Sequence, residues 1–302
     1  MRIIKNIIVL ILILSTLLSV ASCNGKKSDD KVDTNDDGEL LLQPCGVSSC
    51  TVTVKNQLGK AISGVTLLLH IDGEGDYNVC TLPITTDSDG KATFTLDPTF
   101  AYSIGLMNCP DVYTAKSGAT PKERYAIVGD TLDVVLGVKS DYTPSLYEVG
   151  DFMADFTIDD VNGNTYNLYN LLKEKKVVML NFWFTGCGPC ANEFPALNTA
   201  YNTYKDKIEV LAVNDYGESV SSVKGYAQSK GLKLDMPLFV SRFGSEVSLA
   251  RFGSNAYPTT VIIDRYGVVS TVHVASLTSV SIWNAMFEYY TSDSYDGTPY
   301  HQ

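Results

Sequence analysis

The sequence predicts a chain of two domains, a small all-β sandwich followed by an α/β domain in which a mixed sheet is flanked by helices. Three observations support this prediction. The chain of 302 residues is long enough for two ordinary domains, each with its own core. Short strand-like segments separated by turn residues occupy residues 45–138, without a helical period. From residue 150 to 292 strand and helix patterns alternate, which is typical of α/β folds.

Residues 1–22 have the pattern of a secretory signal peptide and not of a fold element. Arg2 and Lys5 precede an apolar run, residues 7–18, which is short for a membrane span and ends in small residues. The residues that lead up to Cys23 resemble a bacterial lipobox, with an aliphatic residue three places before the cysteine. The resemblance implies cleavage before Cys23, a lipid on that cysteine and a bacterial membrane anchor. The alternative is an ordinary signal peptide followed by an incidental cysteine.

Residues 23–44 begin with a polar stretch rich in Lys, Asp, Asn and Gly, so we expect a flexible tether. Within it, residues 33–38 match the first half of a calcium-binding loop. Pro44 occupies the twelfth position, however, where such a loop needs a bidentate Glu. We therefore interpret the run as a solvated linker and expect no metal ion.

The charge of the chain limits the classes of partner. The net charge is -11, and no cluster of Lys and Arg of the kind that binds phosphates is visible. This argues against a nucleic-acid partner. The excess of Asp and Glu is typical of a solvated surface protein and says nothing about substrate. We also expect no cofactor.

The seven cysteines indicate a compartment outside the cytosol, where disulfides persist. With one cysteine assigned to the lipid, six remain: four in the first half of the chain and two as a Cys-x-x-Cys in the second. We interpret the four as structural disulfides and the two as a reactive pair. Pairing in sequence order is one of the three connectivities that four cysteines allow. The predicted pairs are Cys45 with Cys50 and Cys80 with Cys109.

The β region shows alternating apolar residues at 51–54 and 92–96 and a β-branched and Leu run at 65–71, with a turn at 87–90. This spacing predicts a small antiparallel sandwich. The segments Asn56–Val65 and Thr86–Phe94 resemble the prealbumin-like or carboxypeptidase-regulatory-like Ig-type domains of surface proteins. The resemblance implies a fold and no activity, and both a spacer and a ligand-binding module remain open.

After a linker at residues 139–149, the α/β domain begins with a hairpin turn at Asn162 and Gly163. The almost continuous apolar run 177–183 predicts a buried central strand. A short tail, residues 293–302, follows the domain. The other predicted strands are 208–213, 259–264 and 268–274, and the predicted helices lie near 168–175, at 194–204, at 220–230 and around Ile282, Met286 and Tyr289.

Cys187 and Cys190 follow the central strand and start a helix, an arrangement that suits thiol–disulfide chemistry. At a helix N-terminus, unpaired N–H groups and the positive end of the dipole stabilise a Cys187 thiolate. Cys190, one turn later, is close enough to attack a mixed disulfide. A structural disulfide or half of a zinc site is the alternative, but no second Cys-x-x-Cys exists and the histidines lie far away in sequence.

The segment Asn181–Pro195 resembles the active site of the thioredoxin superfamily through its Trp-x-x-x-Cys-Gly-Pro-Cys spacing. It is most similar to the membrane-tethered TlpA/ResA-like group within the redoxin (AhpC/TSA-related) families. Residues 150–157 resemble the entry hairpin of that group. Asn181 stands where cytosolic thioredoxins have a buried acid. A Glu-Phe-Pro sequence that begins at Glu193 follows the two cysteines, as in that group. The resemblance covers residues 147–291 and implies a thioredoxin-like fold.

The resemblance also implies roles for further residues. Tyr257 and Pro258 match the cis-proline loop that binds substrate polypeptide, with an ordinary trans proline as the alternative. Glu193 matches a proton acceptor for Cys190, although a helix-surface carboxylate is equally compatible with the sequence. Trp183 is expected to shape the substrate-binding site. Gly186 departs from the family, which usually has Trp there, so the surface beside Cys187 is expected to be more open and less apolar.

Together these features predict a lipid-anchored extracytoplasmic thiol–disulfide oxidoreductase that reduces protein disulfides, with electrons from a membrane thiol partner. The same thiols could also support oxidation or isomerisation. One alternative is a thiol peroxidase of the AhpC/TSA type, whose pattern needs Thr and Pro where Phe184 and Leu180 stand. Another is a surface ligand-binding lipoprotein in which the redoxin domain is a passenger.

Overall fold

A computed structural model describes residues 44–72, 79–80, 83–115, 124–139, 141–174, 177–230, 233–242 and 245–300. Cys23, the signal peptide and almost all of the tether lie outside the described residues. The chain divides into two compact units, with the boundary between Gly137 and Val138.

The first unit consists of β-strands, as the sequence predicts. Two sheets form, with strand orders β5-β1-β9-β7 and β3-β2-β6-β8, and β4 pairs with β2 in the second. Buried and more exposed residues alternate along β1 and β5, so each of these strands contributes one face to the core. The strands are β1 (Ser49–Asn56), β2 (Thr66–Asp72), β3 (Val79–Cys80), β4 (Ile84–Thr85), β5 (Lys91–Thr95), β6 (Ala101–Asn108), β7 (Tyr113–Ala115), β8 (Arg124–Ala126) and β9 (Thr131–Val138).

The prediction of an antiparallel arrangement is wrong for one pair of strands. β9 runs parallel to β1, with Thr51 opposite Thr131 and Asn56 opposite Leu136. The chain visits both sheets before β9 returns beside β1, so no hairpin turn fixes the relative direction of these two strands.

The predicted disulfide between Cys45 and Cys50 is not present, because both residues are separate thiols buried in the first unit. The Cys45 thiol points to the carbonyl oxygens of Val47 and Asp97, at 3.4 and 3.6 Å. Burial, with a smaller contribution from the Asp130 carboxylate, raises the pKa of Cys50 to about 12.

The predicted Cys80–Cys109 pair stays a prediction. The Cys80 side chain lies outside the described residues. The Cys109 thiol contacts the Tyr113 carbonyl oxygen at 3.3 Å.

The second unit is built around a five-stranded mixed sheet with the order β14-β13-β12-β15-β16. β12, β13 and β14 are parallel, whereas β15 and β16 are antiparallel to their neighbours. Every residue of β12, β13 and β15 is buried, so the sheet forms the centre of the unit. The strands are β10 (Thr157–Asp159), β11 (Thr165–Asn167), β12 (Val177–Phe182), β13 (Ile208–Asn214), β14 (Leu238–Val240), β15 (Thr259–Ile263) and β16 (Val269–Val274).

Helices connect these strands as predicted for an α/β domain. They are α1 (Leu168–Glu174), α2 (Gly188–Tyr204), α3 (Val220–Ser229) and α4 (Val280–Thr291), with a short 3-10 helix at Leu249–Phe252. Helix α4 is rotated by about one residue relative to the prediction, because Trp283, Met286, Phe287 and Tyr290 are buried while Ile282 is exposed. Within the described residues we find no helix whose length and apolar character would let it span a bilayer.

The residues after α4 pack against the second unit. Tyr295 is buried, and its hydroxyl donates to the Asp264 carboxylate at 2.9 Å. The Tyr300 amide donates to the Tyr290 hydroxyl at 2.9 Å. The segment predicted as a tail is therefore partly integrated into the fold.

Three loops meet at one edge of the mixed sheet. β12 and β13 are parallel, so their carboxyl ends, at Phe182 and Asn214, lie at the same edge. Antiparallel β15 begins at that edge, because Thr259 pairs with Phe182. The edge therefore brings together the Cys-x-x-Cys loop, the loop after β13 and the Tyr257–Pro258 loop.

Candidate active site

The predicted Cys-x-x-Cys lies at the start of α2. Cys187 has extended backbone angles and is the N-cap of the helix, and its sulfur accepts a hydrogen bond of 3.2 Å from the Cys190 amide. The two residues are joined by a disulfide, with their Cα atoms 5.3 Å apart. Pro189 lies in the first helical turn, where its missing N–H leaves no carbonyl without a partner.

The two cysteines differ in their access to solvent. Cys190 is fully buried, whereas Cys187 retains slight exposure and lies between the exposed residues Gly186 and Gly188. Once the disulfide is reduced, the positive end of the helix dipole and the N–H of Cys190 stabilise a thiolate at Cys187. Another chain therefore reaches Cys187 before it reaches Cys190.

Glu193 is fully buried one turn after Cys190, so it is not the helix-surface carboxylate that the sequence left open. Its Oε1 accepts a hydrogen bond of 2.8 Å from Asn181 Nδ2, and its Oε2 accepts one of 3.0 Å from the Leu277 amide. Burial raises the pKa of Glu193 to about 7, although both hydrogen bonds act in the opposite direction. The carboxyl group therefore exchanges its proton near neutral pH, as a general acid–base group requires.

The loop after β16 closes over the first turn of α2. Ser276 Oγ donates to the Pro189 carbonyl oxygen at 2.9 Å, close to the Leu277 amide that holds Glu193. Asn181 also reaches Thr260 Oγ1, at 3.4 Å, on the neighbouring strand. These contacts fix Glu193 relative to the helix that carries both cysteines.

The sequence places Trp183 among the substrate-binding residues, as one that shapes the site. In the structure it is fully buried. Its ring packs against Phe194 and Tyr226, with centroids 5.1 Å away in both cases. Trp183 therefore supports the cysteine loop from the core and cannot contact a substrate at the surface.

The Tyr257–Pro258 peptide bond is cis, as the resemblance implies. Pro258 is buried and Tyr257 is half-buried. The Tyr257 hydroxyl donates a hydrogen bond of 2.8 Å to Asp215 Oδ1. The loop is thus anchored to the end of β13 at the edge of the sheet that carries Cys187.

Two carboxylates that the sequence reasoning missed hold the edge together. Asp215 is buried and accepts hydrogen bonds from Tyr257, from the Leu249 amide at 2.7 Å and from Ser248 Oγ at 3.1 Å. Glu218 accepts hydrogen bonds from the Thr185 amide at 2.9 Å, the Thr185 hydroxyl and the Asn214 side-chain amide.

The ionisation of Glu218 is consistent with this role. Burial disfavours its charged form, but the hydrogen bonds from Thr185 and Asn214 outweigh burial and hold its pKa below the usual range. One signal in the sequence could have found both carboxylates, since polar residues that follow an apolar strand of a parallel pair collect at the edge where the neighbouring loop lies.

Comparison with known proteins supports the same chemistry. Residues 149–272 match the AhpC/TSA family. The chain is 34% identical over 129 residues to the thioredoxin-like protein YneN of Bacillus subtilis, covering 43% of this chain and 73% of that protein. It is 35% identical over 135 residues to the thiol-disulfide oxidoreductase ResA of Geobacillus thermodenitrificans, covering 44% of this chain and 74% of that protein.

Solved structures are also similar. One is a thiol:disulfide interchange protein of the thioredoxin family from Chlorobium tepidum, which is 23% identical, with a TM-score of 0.39 over 50% of this chain and all of that chain. The family is established by identity above 30% over nearly three quarters of YneN and ResA. The mixed sheet, with a helix that starts at the Cys-x-x-Cys, agrees with this assignment. The chain belongs to the thioredoxin-like family of thiol–disulfide oxidoreductases that includes ResA and YneN.

Proposed function

We propose that this protein is a membrane-anchored, extracytoplasmic reductase of protein disulfides that acts through Cys187 and Cys190. The observation that carries the proposal is the cysteine pair at the N-terminus of α2, with the buried Glu193 one turn further along the helix. The same helix supplies a stabilised thiolate, a resolving thiol and a group that exchanges protons near pH 7.

The proposed reaction begins with both cysteines reduced. The Cys187 thiolate attacks one sulfur of a substrate disulfide, the substrate S–S bond breaks, and the departing thiolate takes up a proton. Cys190 then loses its proton and attacks the Cys187 sulfur of the mixed disulfide. The second substrate thiol leaves, and the enzyme ends with the Cys187–Cys190 disulfide that the structure contains.

Glu193 is proposed to receive the proton of Cys190. The two residues are three positions apart on α2, so their side chains share one face of the helix. Both are fully buried, so no bulk water is available there to act as the base. The carboxylate form exists at neutral pH because the pKa is about 7.

Reduction is the proposed direction because Gly188 and Pro189 between the cysteines resemble the dipeptide of reducing thioredoxins. Each cycle consumes two electrons, and an oxidising compartment does not return them. A membrane thiol-reducing partner that delivers a dithiol to Cys187–Cys190 therefore belongs to the proposal. The name of ResA states thiol–disulfide oxidoreductase activity and leaves the direction open.

The proposed location rests on residues 1–22 and Cys23. A lipid on Cys23, followed by the polar tether, would hold both units at a membrane surface. Replacement of Cys23 by Ser should release the protein into the soluble fraction and abolish incorporation of a labelled fatty acid. Retention of both the label and the membrane association would contradict the anchor.

Reduction of insulin disulfides by the purified protein, with dithiothreitol as electron source, tests the proposed activity. The wild-type protein should accelerate insulin precipitation and Cys187→Ser should be at the uncatalysed rate, while a Cys45→Ala variant serves as a matched control in the other unit. Equal rates for wild type and Cys187→Ser would contradict the proposal. Rapid consumption of hydrogen peroxide without insulin reduction would assign the protein to the thiol peroxidases instead.

A further inference from the structure

Three aromatic rings meet beside the reactive disulfide, and none of them is needed for the chemistry described above. Phe184 stacks on Tyr216 with ring centroids 4.3 Å apart and planes 17° apart. Tyr257 meets both rings edge-on, at 5.3 Å from Phe184 and 5.7 Å from Tyr216. We call Phe184, Tyr216 and Tyr257 the aromatic triad.

The aromatic triad adjoins both parts of the proposed active site. The Cys187 amide donates to the Phe184 carbonyl oxygen at 3.1 Å, so Phe184 and Cys187 close one turn. Tyr257 immediately precedes the cis-proline Pro258. A polypeptide whose disulfide reaches Cys187 therefore extends over or next to the triad.

The triad combines exposure with fixed positions. Tyr216 is 59% exposed, although its ring stacks on Phe184 and meets Tyr257 edge-on. Asp215 fixes the Tyr257 hydroxyl, and Glu218 fixes Thr185 next to Phe184. Rigid, exposed aromatic rings are typical anchors of binding surfaces, because little side-chain entropy is lost when a partner covers them.

Gly186 stands where the family that the sequence resembles usually has Trp, and the Phe184 ring lies beside it. A Cβ atom on residue 186 would lie 3.0 Å from Phe184 Cε2, so the Phe184 ring already occupies the space beside it. The expectation of a more open and less apolar surface beside Cys187 stays a prediction. Phe184 places an aromatic ring next to this position, and Tyr216 and Tyr257 pack against that ring.

We propose that the aromatic triad is a specificity subsite that binds an apolar or aromatic side chain next to the substrate's reactive cysteine. This inference rests on the reductase function proposed above and adds a substrate class to it. The ionised Glu218 hydrogen-bonds Thr185 next to the triad and disfavours an acidic side chain there, while the aromatic rings themselves favour an apolar or aromatic one. The reactive disulfide next to the triad favours a substrate polypeptide over other occupants.

Disulfide-linked peptides that differ only in the residue after the attacked cysteine test the subsite. The three peptides carry Phe, Ser or Glu at that position. For reduced wild-type protein, kcat/KM should be about five- to tenfold higher for the Phe peptide than for the Ser peptide, which is the size of one aromatic contact. The difference should lie in KM. The Glu peptide should be the poorest substrate.

Variants at exposed positions then assign the preference to the triad. Tyr216→Ala should bring the Phe-to-Ser ratio close to one, whereas Tyr216→Phe keeps the ring and should restore the preference. Val220→Ala removes another exposed apolar side chain just beyond the same loop and should leave the ratio as in wild type.

The outcomes separate the inference from the proposed function. If wild type reduces all three peptides equally well, the subsite is refuted and the reductase function stands. If wild type reduces none of them, the function itself fails. Three results with Tyr216→Ala would each overturn the subsite. The first is a loss in kcat that is equal for all peptides. The others are dissociation of a dimer by this substitution and loss of binding to vesicles.

Discussion

The two units of this chain each contain cysteines close together in sequence, and their surroundings give the two sets opposite chemistry. Cys187 and Cys190 lie at the start of a helix, with one sulfur next to the surface and a backbone amide directed at it. Cys45 and Cys50 are buried thiols of the β unit, and the pKa of Cys50 is raised to about 12 by burial. We infer that burial and local electrostatics, in addition to spacing, set the reactivity of these thiols.

Selective alkylation of the reduced protein is the prediction with the largest effect. At pH 7 a thiol with a pKa near 12 is a thiolate in only about one molecule in 10⁵, and Cys50 is also buried. Iodoacetamide should therefore modify Cys187 at least about 10³ times faster than Cys50. Mass spectrometry of timed digests measures both rates, and comparable rates in the folded protein would remove the contrast between the units.

Replacement of Glu193 by Gln should slow the second thiol exchange by about 100-fold at pH 7, because Cys190 loses its proton acceptor. The deficit should shrink at high pH, where hydroxide and the thiol's own ionisation replace the carboxylate. Stopped-flow measurement of substrate thiol release across pH 6–9 checks this. Cys45→Ala is the control from the other unit, and a deficit that does not change with pH would contradict the role in proton transfer.

Glu193 also predicts how stability depends on pH. Its folded-state pKa, about 7, lies above the ordinary value of 4.5, so the unfolded chain loses this proton first as the pH rises. The contribution is fully present below pH 4.5 and is lost as the pH rises through 7. Over that window wild type should lose about 3 kcal/mol of unfolding free energy relative to Glu193→Gln, measured by urea unfolding. A difference that does not vary with pH would contradict the buried, protonated carboxyl group.

The smallest predicted changes in unfolding free energy come from replacing surface carboxylates, and the expected loss differs between the two units. Glu218→Gln cannot accept the three hydrogen bonds that Glu218 receives, so it should lower the unfolding free energy by about 1–2 kcal/mol. Asp133→Asn in the β unit breaks an exposed pair with Lys55, whose charged atoms are 3.3 Å apart, and should cost less than about 0.5 kcal/mol. Equal losses in denaturant unfolding would show that the Glu218 contacts do not brace the active-site loop.

Much of the second unit could be predicted from sequence because its signals are local. The apolar run of β12, the turn at Asn162–Gly163 and the helix that starts at Cys187 each depend on neighbouring residues. The family resemblance added Pro258 and Glu193, whose partners are distant in sequence. The burial of Glu193 required the Leu277 loop, which no local pattern reveals.

Other features depend on contacts between distant residues. Asp215 and Glu218 act on Tyr257 and Thr185, which lie 42 and 33 positions away in the chain. Whether Cys45 faces Cys50 or the carbonyl oxygens beside it depends on side-chain direction in the folded sheet. Trp183 ends an apolar strand, but only the packing of Phe194 and Tyr226 shows that it is enclosed.

The most direct test of the central claim is to trap the mixed disulfide with Cys190→Ser and a disulfide peptide. Mass spectrometry of the digested protein should find one stable adduct, on Cys187, and none on Cys45 or Cys50. Release of the peptide on addition of dithiothreitol would confirm the linkage. An adduct on Cys45 or Cys50, or no adduct while Cys190→Ser still reduces the peptide, would contradict the assignment of Cys187 as the attacking thiol.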